Sequence, residues 1–225
     1  MVPAGTNCKY FWCEMGMAQQ EAAQATAEED QGTRILDAAW SVFMEIGYEG
    51  ASTAEIARRA RVSKRDLYAR FGSKQGIIAA LVGTRVARMQ APLRQSDCST
   101  RDELVTTLRG FGAALLREVS TPGVLALYRL AISEAGRDSG VAEVLDHAGR
   151  STNRAALSRL LAAALRRGLL GTGKPDVMAA RFLALLWEDL LPRLLLGVAT
   201  APTSEGAARR AREATDALLQ LYPAD

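Results

Sequence analysis

The 225-residue chain carries 28 Lys and Arg against 25 Asp and Glu, a net charge of +3, and 48% of its residues are hydrophobic. That composition excludes a chain disordered throughout and is enough for a buried core in one or two domains. The charge balance is too mild to settle whether nucleic acid is a partner, so the placement of the charge has to decide.

Three cysteines, Cys8, Cys13 and Cys98, show no framework spacing, which fits a reducing, cytoplasmic compartment. The first residues, with Lys9 as their only cation, do not read as a signal peptide, and Met15 or Met17 is an alternative start. Residues 18 to 31 are rich in Ala, Gln and Glu without an apolar face, so residues 1–32 read as a flexible arm.

The first periodic segment, residues 34 to 46, places Ile35, Ala39, Val42, Phe43 and Ile46 on one stripe, with Gly47 as the stop. Ser52 and Glu55 form a capping box that opens a short helix with Ile56, Ala57 and Ala60 inward. Ser63 caps the next, which carries Leu67, Tyr68 and Phe71 and ends at Gly72. A longer helix from Ser73 continues toward Met89 until Pro92. Ser99 or Thr100 opens a helix to about Val119, and Thr121 with Pro122 opens another to about Ala135.

Asp138 to Gly168 reads as one long helix or two joined near Gly149. Pro175 starts the most apolar helix, kinked or ended at Pro192. The window 182–199 within it is interrupted by Glu188, Asp189 and Arg193, well short of the ~20 apolar residues of a membrane span, and no membrane association is expected. Thr203 or Ser204 starts the last helix, with a small-residue face of Ala207, Ala208, Ala211 and Ala214. No run alternates like a strand, so the expected fold is all-α with about nine helices.

The stretch "ARRARVSKRDLYARFGSK", residues 57 to 74, sets seven cations against Asp66 alone. Only a few residues separate the helices capped by Ser52 and Ser63, so they cross steeply as a helix-turn-helix. The second helix of such a unit enters the major groove of double-stranded DNA with its N-terminal residues toward base edges. Lys64, Arg65 and Asp66 are the expected base readers, and Tyr68, Arg70 and Lys74 the expected phosphate contacts. Lys74 in a first helical turn is electrostatically awkward, and a phosphate there would relieve it. Ser52 and Ser63 complete the expected DNA-facing set.

The words "RILDAAWSVFMEIGYEG", "IARRARVS" and "KRDLYARFGSKQGIIAAL" resemble the tetracycline-repressor (TetR) family of transcriptional regulators. The resemblance implies a three-helix DNA-binding domain over 33–82 and a helical ligand-binding and dimerisation domain over 83–225. "GVLALYRLAISEAGR" and the segment around "RFLALLWEDLLPRLLLG" resemble its AefR-like C-terminal subclass. The implied activity is a homodimer on a palindromic operator, released by a small-molecule inducer. Four positions depart from the pattern: Arg61 stands where Gly is common, Ala51 where Thr is usual, Thr53 where a large apolar residue is usual, and Asp66 where a small one is.

In the C-terminal part, Leu125, Tyr128, Met178, Phe182 and Trp187 are candidates to line an inducer pocket, with His147 as its polar group. A four-helix dimer interface would bury the apolar helix from Pro175 and the small-residue face of the last helix. Glu143, Asp146 and His147 share a helix face, but one His without a second cluster makes no metal set, and no cofactor is expected.

"GLLGTGKP", residues 168 to 175, matches a phosphate-binding loop except that Pro175 replaces the Mg²⁺-binding Ser or Thr, and helix rather than strand precedes it. An enzyme is therefore not expected. A helical adaptor for protein partners is the competing reading, but it leaves the basic head unexplained.

Overall fold

The computed structural model describes residues 30–95, 98–133 and 140–224, and among them every regular element is helical. They divide into two compact units whose boundary falls between Lys74 and Gln75.

The first unit holds α1 (30–50), α2 (Thr53–Ala60), α3 (Lys64–Phe71) and the first residue of α4 (Lys74–Met89). Residues 30–32, read from sequence as the end of the arm, already belong to α1, while the rest of that arm lies outside the described residues. Ile35, Ala39 and Val42 are fully buried and Phe43 nearly so, but Ile46 is 50% exposed. Tyr48 takes its place in the core, its ring tilted against Phe43 at 5.6 Å. The reason is Gly47, whose φ of +74° turns the last residues off the helical stripe. Ile56, Ala57 and Ala60 of α2 and Leu67 of α3 close this small core.

The second unit runs from Gln75 through α4 to α5 (Ala91–Arg94), α6 (Arg101–Val119), α7 (Pro122–Ser133) and α8 (Val141–Val144). A π-helical stretch, Leu145–Ser151, joins α8 to α9 (Thr152–Arg166); α10 (Pro175–Trp187), α11 (Leu190–Leu195) and α12 (Ser204–Leu221) follow. The long helix expected from Asp138 is thus continuous from Val141, and Gly149 lies in its π stretch, where a Cβ would stand 3.4 Å from Val82.

α6 is the centre of this unit: Leu104, Leu108, Phe111 and Leu116 are fully buried. Phe111 stacks on Phe182 of α10 at 6.4 Å, and Gly112 lets Ala211 of α12 approach so closely that a Cβ there would lie 3.1 Å from it. Ala207, Ala211 and Ala214 are therefore consumed inside the protomer, not held open for a partner as the sequence suggested. The apolar helix from Pro175 ends at Trp187, not at Pro192, because Glu188 takes a positive φ of +43°. Pro192 falls in the first turn of α11, where the missing N–H has no helical partner to lose. No helix among the described residues is long and apolar enough to cross a membrane.

Candidate nucleic-acid interface

The two short helices are set by their caps. Ser52 Oγ accepts from the Glu55 N–H at 3.1 Å, and Ser63 Oγ accepts from the Asp66 N–H at 3.1 Å. The turn between them passes through Arg61 in the left-handed region, φ 55° and ψ 46°, with the Val62 N–H returning to the Ala57 carbonyl at 3.0 Å. A helix ending in this way favours Gly, and Arg61 holds the geometry at a steric cost.

The seven cations of this region do not form one class. Arg58 grips Glu55 with two hydrogen bonds, 2.8 and 2.7 Å, and Arg59 bridges Glu55 and Glu45 at 2.7 and 2.6 Å. The hydrogen bonds from Arg58 and then Arg59 pull the Glu55 carboxyl down to about 2, and the bond from Arg59 lowers Glu45 as well. Glu55 has thus turned away from the reciprocal half of the capping box.

Lys64 and Arg65, at the N-terminus of α3, are exposed and have no hydrogen bond or ion pair among the described residues. Beside them, the Asp66 carboxylate accepts from the Ser63 hydroxyl at 2.7 Å, which leaves its other oxygen without a hydrogen bond among the described residues. Tyr68, 47% exposed, shares a 2.9 Å hydrogen bond with Thr53, so the recognition helix is pinned to α2 by two hydroxyls. The Arg70 guanidinium lies over the backbone of Gly32, filling the place where a Cβ would stand at 2.6 Å.

Lys74 has partners inside the first unit. Its ammonium donates to the carbonyls of Tyr48 at 2.8 Å and Ala51 at 3.1 Å and sits 4.0 Å above the Tyr48 ring. The awkward cation at the start of α4 is met by carbonyls at the end of α1 and by a ring face. Thr53 and Tyr48 were not singled out as site residues; the unusual hydroxyl at position 53 was the available signal for the first, and a backbone carbonyl gives none for the second.

The expected pocket residues lie on α7, α10 and the π-helical stretch. Met178 and Phe182 are fully buried, with Phe182 packed on α6, while Leu125 is buried on α7. Tyr128 is half-buried on α7 and Trp187 on α10. Burial pushes the Tyr128 phenol upward, partly offset by Arg150. His147 is exposed and cannot serve as an interior polar group. Asp146, its neighbour, accepts from Arg150 at 3.1 Å.

The phosphate-loop look-alike has a packing explanation. A Cβ on Gly171 would stand 2.2 Å from the Pro223 carbonyl oxygen, and one on Gly173 would stand 2.9 Å from the Tyr222 ring. Those glycines admit the segment after α12, with Gly171 N–H donating to the Tyr222 carbonyl at 3.3 Å.

Comparison with known proteins agrees with this geometry. Residues 35–81 match the model described as bacterial regulatory proteins, tetR family, and residues 106–224 match that of the AefR-like transcriptional repressor C-terminal domain. The transcriptional regulator YvkB of Bacillus subtilis is 35% identical over 86 residues, 38% of this chain and 43% of YvkB, so the chain spans less than half the length of that relative. The transcriptional repressor AcnR of Corynebacterium glutamicum is 27% identical over 173 residues, 76% of this chain and 85% of AcnR. A crystal structure of a TetR transcriptional regulator from Agrobacterium tumefaciens is 31% identical, with a TM-score of 0.69 over 86% of this chain and 94% of that one. With the C-terminal model alone matching more than half of its residues, the chain belongs to the TetR family of helix-turn-helix transcriptional regulators, which are DNA-binding proteins and not enzymes.

Proposed function

We propose that the protein is a ligand-responsive repressor, acting in the cytoplasm as a homodimer on a palindromic operator. The observation that carries this reading is the N-terminus of α3, where Lys64 and Arg65 are exposed and unpaired while the neighbouring cations of α2 are neutralised. Arg65 suits a guanine edge, and the unbonded oxygen of Asp66 suits a cytosine amino group. Lys64, Arg70 and the Tyr68 hydroxyl supply the grip on phosphates, with Ser52 and Ser63 fixing the helices behind them.

Dimerisation through α10 and α12 is supported by Val177 and Leu221, 40% and 54% exposed on those helices. A twofold dimer suits a palindromic site because each protomer offers one recognition helix to one half-site. An inducer bound in the C-terminal unit near Leu125 and Tyr128 releases DNA only by preferring the state that does not bind it. Repression rather than activation is supported by the AefR-like repressor domain and by the repressor AcnR.

Selection of bound sequences from a random duplex pool tests the reading. The expected result is an enriched motif with twofold symmetry, bound more tightly than scrambled duplex at physiological salt. Recovery of no motif would favour the helical adaptor for protein partners.

A further inference from the structure

A groove of about 420 Å³ runs between α5 and α9 in the second unit. Its size falls within the range of roughly 300–1,000 Å³ that holds small-molecule ligands. Leu93, Leu160 and Ala163 supply apolar wall, and every charged group that lines it is an arginine: Arg94, Arg159 and Arg167. None of the expected inducer-pocket residues lies in it.

The arginines are placed in different ways. Arg159 is exposed and makes no hydrogen bond or ion pair among the described residues. Arg94 is steered by a hydrogen bond to the Ala87 carbonyl at the end of α4, which orients the guanidinium without cancelling its charge. Arg167 donates to the Cys98 carbonyl at 3.0 Å and so holds the segment before α6. Arg159, Ala163 and Arg167 succeed one another at four-residue steps, so the two cations stand about 12 Å apart along α9 with the small Ala163 between them. A cleft lined by a single sign of charge concentrates the field within it and raises the local concentration of opposite charge.

We infer that this groove is a binding site for a small amphiphilic anion, a carboxylate or phosphate carried on an apolar chain. The headgroup meets Arg159 and Arg94, where guanidinium forks match the oxygens of either group, and the chain lies over Ala163 and Leu160. No acid lines the groove, so a headgroup there meets guanidiniums without a competing carboxylate in its wall. The inference stands on the second unit alone and does not depend on the DNA-binding reading.

Isothermal titration of the full chain, without DNA, with octyl phosphate, octanoate, octanol and inorganic phosphate tests it. The two chain-bearing anions are used below their micellar concentrations. At least one of them should bind at one site, ten or more times tighter than octanol and than inorganic phosphate, and the tighter of the two identifies the headgroup. Arg159→Ala should weaken it tenfold or more. Ala163→Phe should abolish it by filling the groove while keeping every charge. Circular dichroism and thermal midpoints check that both variants fold. Octanol binding as tightly as the anions, no saturable binding of either anion, or parental affinity in both folded variants would overturn the inference.

Discussion

Two basic faces lie within a few residues of each other in the helix-turn-helix. On α2, Arg58 and Arg59 spend their guanidiniums on Glu55 and Glu45; on α3, Lys64 and Arg65 meet no acid among the described residues. In sequence both are cations in a run, and a count of charge treats them alike. Their electrostatic consequences differ, because a cation already paired must break that contact before it neutralises a phosphate. An unpaired cation at a helix N-terminus, where the dipole also favours an anion, has nothing to give up. The placement of acids, as much as that of bases, marks which face is available.

The largest effect should come from Arg65→Ala. It should weaken binding to the selected operator by about 1–3 kcal/mol per half-site and relax preference at one base pair, as read by fluorescence anisotropy on matched and mismatched duplexes. Arg58→Ala should stay within about twofold, and equal losses in the two variants would erase the distinction between the faces.

Lys74→Met keeps the apolar stem and removes the ammonium. Loss of its two carbonyl bonds should destabilise the fold by about 1–3 kcal/mol in urea unfolding. The salt dependence of binding should remain unchanged at a slope of about −4, the value for Lys64 and Arg70 in two protomers, rather than the steeper value of about −5 with Lys74 included. A slope that flattens in the variant would return Lys74 to the DNA-facing set.

Arg61→Gly should stabilise the fold by about 1 kcal/mol, since Gly enters the left-handed region without a Cβ clash, and leave operator affinity unchanged. The smallest effect concerns Glu55. Its carboxyl is held at about 2 in the fold against an ordinary 4.5, so the folded state binds fewer protons between those values. The stabilisation is complete above pH 4.5 and is lost as pH falls toward 2. Glu55→Gln should flatten that acid limb in thermal midpoints recorded across the interval.

Much of the N-terminal unit was legible because its signals are local. Ser52 and Ser63 announce caps through the residue three positions on, and Arg61 sits where the short turn demands a left-handed residue. The intramolecular contacts of Lys74 were not legible because its partners are carbonyls of Tyr48 and Ala51, and backbone acceptors leave no trace in composition. The alanine face of α12 was recognised as a close-packing surface, but periodicity does not say which helix approaches it, and Gly112 of α6 does. The end of α10 at Trp187 escaped because a positive φ at Glu188 has no residue-type signature. His147 was read as an interior group from its type, yet its position on the π-helical stretch turns it to solvent.

The bond from Lys74 to the end of α1 has a mechanical meaning. Lys74 opens α4, and it is fastened to two carbonyls and a ring of the first unit, to which it belongs. The charge at position 74 thus serves as a staple between the end of α1 and the start of α4, and it acts wholly inside the first unit, since both sides of the contact lie before Gln75.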